Sequence, residues 1–165
     1  MPKVAVFMGS KSDEAVVRPC VELLREWGVD SFFTITSAHR TPERTERLLR
    51  ELEEQGCQVY ICAAGLAAHL AGAVAARTLR PVIGIPLVSG SLGGLDALLS
   101  TLMMPAGFPV ATVAPDKTGA RNAAWLAAQI LALRDPSLAG RLAAARASLA
   151  GEVEKNAAGL EGTSA

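Results

Sequence analysis

The sequence predicts a three-layer α/β sandwich: a five-stranded parallel sheet, strand order 2-1-3-4-5, with helices on both faces. Two observations predict it. Short, continuous apolar runs closed by Gly-, Ser- or Pro-containing loops recur five times, and strands apolar on both sides are strands covered on both sides. Amphipathic stretches of helical period lie between them on short connections, which demands right-handed crossovers and layers of helix above and below the sheet. Of the open doubly wound arrangements, 2-1-3-4-5 is the one expected here.

Each element has its own warrant. Val4 to Met8 is the first strand and stops at Gly9. Gly9-Ser10-Lys11-Ser12-Asp13-Glu14 then heads a helix whose apolar positions are Val16, Cys20, Leu23, Leu24 and Trp27. Pro19 either bends that helix or delays its regular part beyond Asp13. Gly28 closes it, and Ser31 to Ile35 is the second strand. Thr41 is a suitable N-cap and Pro42 a suitable first residue for a helix to Gln55, which carries Leu48, Leu49 and Leu52 and ends at Gly56.

Val59 to Ala63 is the third strand, leading into the small-residue loop and helix Ala64 to Gly72. Pro81 to Ile85 is the fourth, closed by Pro86 and the Ser89–Gly94 loop, before a helix bearing Leu95, Leu98, Leu99 and Leu102. Val110 to Val113 is the fifth, after which Asp116-Lys117-Thr118-Gly119 caps an alanine-rich helix from Ala120 to about Leu133. Asp135-Pro136 opens a last helix with the stripe Leu138, Leu142, Ala145, Leu149 and Val153, which no later strand covers. The expected organisation is one domain: an α/β body over residues 1–134 and a helical extension over 135–165 that packs on neighbouring subunits.

Composition narrows the function. The chain has 165 residues, enough to bury a core, and half of them are hydrophobic although only 4% are aromatic. Sixteen Lys and Arg balance sixteen Asp and Glu, so no basic footprint argues for nucleic acid or for a membrane surface. The apolar run near the N-terminus is too short for a signal sequence, and no stretch has the length of a membrane span, so a cytoplasmic protein is expected. Cys20, Cys57 and Cys62 are isolated and sit in apolar surroundings, and only two histidines accompany them. They read as small core hydrophobes, with neither a disulfide framework nor a metal site implied.

The chemistry gathers on one rim. Open parallel sheets bind ligands outside the carboxyl ends of their strands, at the point where the strand order reverses. Ser10, Ser12 and Asp13 follow the first strand, Ser37, Ala38, His39 and Arg40 the second, and Ala64, Gly65, Ala67, His69 and Leu70 the third. Imidazole can give and take a proton near neutrality. Arg40, the three serine hydroxyls and helix N-terminal amides suit a phosphate or carboxylate. Plainer roles stand beside these: Ser12 and Asp13 as helix-capping residues, His69 as a satisfied helix residue, Ser89 and Ser91 as loop-shaping residues.

Met8-Gly9-Ser10-Lys11-Ser12-Asp13, Ser37-Ala38-His39-Arg40-Thr41-Pro42 and Ala67-Ala68-His69-Leu70 together resemble the signatures of the bacterial N5-carboxyaminoimidazole ribonucleotide mutase (PurE) family. Pro81-Val82-Ile83-Gly84-Ile85-Pro86, Gly94-Leu95-Asp96, Met104-Pro105 and Gly119-Ala120-Arg121-Asn122-Ala123 extend the resemblance along nearly the whole chain. It implies a flavodoxin-like fold, an isomerase of purine biosynthesis that needs no cofactor, and a homo-octamer. It also implies that the match to the family's proton-carrying histidine is His39, with an aminoimidazole ribonucleotide bound by the residues around it and Asp13 placed for ribose hydroxyls.

The sequence departs from the family at Leu66, where many members have Gly, at Ala71, where many have Pro, and over Ala114 to Thr118. Two rival readings are carried forward. One is the related carboxylase, which adds free carbon dioxide directly and typically has Lys in place of Arg40 and lacks the Ala67-Ala68-His69 pattern. The other is a non-catalytic nucleotide or flavin module, which wants aromatic side chains on the rim, whereas Trp27, Tyr60 and Trp125 fall within helix or strand patterns.

Overall fold

The computed structural model describes residues 1–161. Its strands are β1 (Val4–Met8), β2 (Ser31–Ile35), β3 (Val59–Gly65), β4 (Val82–Leu87) and β5 (Ala111–Thr112). Its helices are α1 (Glu14–Glu26), α2 (Pro42–Glu54), α3 (Leu70–Ala75), α4 (Leu95–Leu102), α5 (Asp116–Ala132) and α6 (Pro136–Leu160), with one 3-10 turn over Lys11–Asp13. All four strand pairings are parallel and the order is β2-β1-β3-β4-β5. The chain divides into two compact units, Met1–Ala127 and Ala128–Ala165, the division falling inside α5.

Alternation along the strands sorts the core. Ala5 and Phe7 of β1 and Tyr60 and Cys62 of β3 face a cluster with Leu48, Leu49 and Leu52 of α2 and Leu70 and Val74 of α3. Burying each of those leucines stabilises the fold by roughly 1.5–3 kcal/mol. Tyr60 also donates its hydroxyl to the Leu49 carbonyl at 3.3 Å. On the opposite face α1 meets α5, with Trp27 and Trp125 ring centroids 4.7 Å apart. That contact uses up two of the aromatic residues a flavin module would need on its rim.

Several element boundaries differ from expectation for identifiable reasons. Helix α1 begins at Glu14 and runs through Pro19. The carbonyl that Pro19 leaves unpaired belongs to Ala15, which is exposed to water. Its buried face is Val17, Cys20 and Leu24, so Val17 and not Val16 points inward. β4 continues through Pro86, paired with Ala64 of β3. β5 pairs only with Ile83 and Gly84, so the missing proline N–H breaks no ladder on that side.

Helix α5 starts four residues early, at Asp116, taking in the stretch expected to cap it. Helix α4 departs most. Its buried residues are Ala97 and Thr101, whereas Leu95, Leu99 and Leu102 are 55%, 46% and 53% exposed. Gly84 explains the inversion, since a Cβ there would lie 2.2 Å from the Thr101 methyl. The helix rests on the sheet through small residues, and three of its four leucines turn outward while Leu98 is half-buried. In α6 the expected stripe splits: Leu138 and Leu142 are buried, and Leu149 and Val153 are exposed. The Asp135 side chain accepts from the Leu138 amide at 3.0 Å and caps that helix.

Candidate active site

Met8 and Ile35 end β1 and β2 in register with each other and with Ala63, two residues before the end of β3. The three loops that follow enclose a cleft of about 510 Å³. All twelve residues singled out in the sequence line it: Ser10, Ser12, Asp13, Ser37, Ala38, His39, Arg40, Ala64, Gly65, Ala67, His69 and Leu70. Gly9, Leu66, Ala68 and Ser89 line it too and were not named as site residues, Leu66 having stood only as a departure from the family and Ser89 only as a loop-shaping residue. Gly9 and Ala68 lay inside the motifs already read, whereas Ser89 comes from the loop after β4 and carried no signal beyond loop composition.

The β1 loop presents oxygen atoms. The Gly9 amide donates to the Ala63 carbonyl at 3.1 Å and the Asp13 amide to the Ser10 carbonyl at 3.2 Å, which fixes the loop's ends. The Ser12 hydroxyl lies 3.0 Å from the Ser10 hydroxyl and 3.2 Å from Asp13 Oδ1. Neither Ser10 nor Asp13 caps its helix through the side chain, so the carboxylate is left for the cleft. Burial raises the Asp13 carboxyl above its ordinary value, against the opposing pull of the Ser12 and Ser10 hydrogen bonds and the Arg40 charge.

The β2 loop is held by hydroxyls. Thr36 is buried and lies 2.7 Å from the Thr45 hydroxyl on α2. Thr41 does not cap α2 as its position suggested. Its hydroxyl accepts from the Ser37 amide at 2.9 Å, which closes the turn that displays Ala38, His39 and Arg40. Arg40 donates from Nη2 to the Gly9 carbonyl at 2.7 Å and from its backbone amide to the Ser37 hydroxyl at 3.2 Å. The guanidinium therefore ties the β2 loop to the β1 loop.

The β3 loop is shaped by close packing. Leu66 and Ala68 have φ of +54° and +29°, conformations that cost an L-residue of order 1–3 kcal/mol. The Ala68 amide closes the turn on the Gly65 carbonyl at 3.1 Å. A Cβ on Gly65 would lie 2.2 Å from the Ser89 hydroxyl, so only glycine lets the β4 loop reach the cleft. His69 follows and opens α3. Its Nδ1 is 2.7 Å from His39 Nε2, with the rings 4.9 Å apart and edge-on at 73°.

The arrangement can pass a proton at an imidazole, bind an anion beside it, and enclose a small ligand between walls of alanine and glycine. A larger cleft of about 990 Å³, lined by Arg77, Leu79, Arg80 and Phe108, lies beside the amino end of β4 and holds no histidine. Among the described residues no cluster of His, Cys, Asp and Glu could hold a metal ion.

Comparison with known proteins converges on one group. The AIR carboxylase family model matches residues 3–152. The N5-carboxyaminoimidazole ribonucleotide mutase of Saccharolobus solfataricus is 51% identical over 142 residues, covering 86% of this chain and 89% of that protein. The Escherichia coli K12 mutase is 47% identical over 154 residues, or 93% and 91% of the two chains. A crystal structure of Treponema denticola PurE superposes with a TM-score of 0.88 at 32% identity, covering 97% and 99%.

Proposed function

Because the chain belongs to the AIR carboxylase family, we propose that the cleft lined by its two histidines works with His39 as proton carrier. The chain is an isomerase of purine biosynthesis. It interconverts N5-carboxyaminoimidazole ribonucleotide and the 4-carboxy-5-aminoimidazole ribonucleotide. The observation that carries the proton assignment is His39 on the rim, hydrogen-bonded to a second imidazole at 2.7 Å.

The reaction needs one group that donates and then accepts. As the N–CO2 bond of the carbamate breaks, imidazolium His39 gives a proton to the exocyclic nitrogen, leaving carbon dioxide and the amine. Ring carbon 4 then attacks the retained carbon dioxide, and His39 takes the proton that carbon 4 loses. No net proton is consumed. Arg40 with Ser10, Ser12 and Ser37 would hold phosphate or carboxylate oxygens, and Asp13 the ribose hydroxyls. Ala64, Gly65, Ala67 and Leu70 supply short walls that slow escape of carbon dioxide.

A homo-octamer in the cytoplasm completes the reading. Supporting the assembly are the outward leucines of α4 and the exposed Leu149 and Val153 of α6, since apolar faces of this kind favour a closed symmetric contact. No helix among the described residues is long and apolar enough to cross a membrane.

The test supplies purified enzyme with the carbamate, or with the amine plus bicarbonate, and follows carbon-carboxylated product. Product formed from the carbamate at rates well above those from free carbon dioxide is expected. The reverse preference would reassign the chain to direct carboxylation. Light scattering on the same sample should give eight chains per particle, and an active monomer would remove the assembly from the proposal.

A further inference from the structure

We infer that His69 is a positioning residue, holding the His39 ring through one shared proton so that Nδ1 of His39 is the nitrogen that exchanges protons with substrate. The inference rests on the mutase reading and gives a specific task to a residue which that reading names only as the hydrogen-bond partner of His39.

His39 Nε2 and His69 Nδ1 lie 2.7 Å apart. Two lone pairs repel at that distance and two N–H groups clash, so one proton occupies the gap. His39 is exposed on a turn, and the contact with His69 is its one side-chain hydrogen bond among the described residues. His69 is the better anchored partner. It opens α3 with helical backbone angles, and its carbonyl accepts from the Ala73 amide at 2.8 Å.

The reaction makes this contact useful. Imidazolium His39 donates its Nε2–H to His69 and presents Nδ1–H to the substrate. After giving up that proton it is neutral, and a free imidazole would then rotate or change tautomer. Held by His69, it keeps its proton on Nε2, and the nitrogen that gave the proton is the one that takes the next. While the contact lasts the pair carries at most one positive charge. The other charged groups lining the cleft are Arg40 on the same turn and Asp13 on the β1 loop; its lining from the end of β3 onward, Ala64 to Leu70, and from Ser89 after β4 holds no titratable group besides His69.

The test uses His69→Phe and His69→Asn in the full-length chain. Phenylalanine keeps a planar ring and removes the acceptor, whereas the asparagine carbonyl restores an acceptor. His69→Phe should lower kcat roughly 10- to 100-fold with KM within about twofold. The alkaline limb of its kcat–pH profile should move to lower pH, because the charged form of His39 has lost its acceptor. His69→Asn should recover most of kcat and return the limb.

The chain has two histidines, so 15N-histidine labelling gives only four ring-nitrogen signals. They should show neutral His39 protonated at Nε2 in the wild type and mixed tautomers in His69→Phe. A His69→Phe variant with unchanged kcat and pH profile would overturn the inference, and one with raised KM at unchanged kcat would make His69 a substrate contact. Wild-type enzyme inert towards the carbamate would end the mutase reading, and the nitrogen signals would still decide the pair.

Discussion

The loops after β2 and β3 each deliver one histidine to the same hydrogen bond, and they are built by opposite means. The β2 loop stands on polar closure: Thr36 to Thr45, the Ser37 amide to Thr41, Arg40 to the Gly9 carbonyl. The β3 loop stands on steric closure, with two non-glycine residues at positive φ and a glycine pressed against Ser89. Hydrogen bonds orient a displayed side chain through a few replaceable contacts. Tight backbone packing fixes the whole loop at once and tolerates no added atom. The proton carrier sits on the first kind of support and its partner on the second.

The largest effect should come from the displayed group itself. His39→Asn should lower turnover by about 10²- to 10⁴-fold, the usual worth of a positioned proton carrier. The β2 loop should keep its shape, checked by an unchanged denaturation midpoint. Near-normal turnover would move the shuttle elsewhere.

Next in size is the steric loop. Gly65→Ala brings a methyl to 2.2 Å from the Ser89 hydroxyl and 3.2 Å from the Leu87 carbonyl, an overpacking that costs about 1–3 kcal/mol. Urea denaturation should show the loss, and Ser89→Gly in the same chain should return most of it. The polar counterpart is milder. Thr36→Val removes the 2.7 Å bond to Thr45, but Thr45 keeps the Thr41 carbonyl as acceptor at 3.3 Å. About 1 kcal/mol is expected by the same measurement, and a Thr36→Val loss exceeding that of Gly65→Ala would reverse the comparison.

The smallest effect concerns charge on the β1 loop. Burial raises the Asp13 carboxyl above its ordinary 3.8. The unfolded chain therefore releases that proton first as pH rises, and folded stability is lost from 3.8 up through the raised value. Asp13→Asn removes this loss. Its denaturation midpoint should exceed wild type at neutral pH, with the gap closing below 3.8, while KM for the ribonucleotide rises. Equal midpoints at both pH values would mean that burial of Asp13 costs nothing.

The same contrast explains what could be read in advance. The β2 loop was legible because Ser37, His39, Arg40, Thr41 and Pro42 are residue types with narrow physical uses. Strand order and the meeting of three loops followed from continuous apolar runs and short crossovers. The β3 loop hid its construction: the family's frequent Gly at position 66 hinted at positive φ there, nothing local marks Ala68 for it, and Ser89 arrives from another strand. Periodicity marked the α4 leucines as an apolar face but not which way it turned. That depended on Gly84 letting Ala97 and Thr101 approach the sheet. Thr41 had the right residue type for a cap and spent its hydroxyl on the preceding turn.

The three cysteines have a use in the laboratory. Cys20, Cys57 and Cys62 are all buried and unpaired in disulfides. Burial pushes the Cys20 thiol up to about 12 and raises the other two. The thiolate is the reactive form, so alkylating reagents must wait for the fold to open. Cys20 lies on α1, and Cys57 and Cys62 belong to the cluster against α2 and α3 on the opposite side of the sheet. The rate and order of alkylation therefore time how the two helical layers peel from the sheet, without any label being introduced.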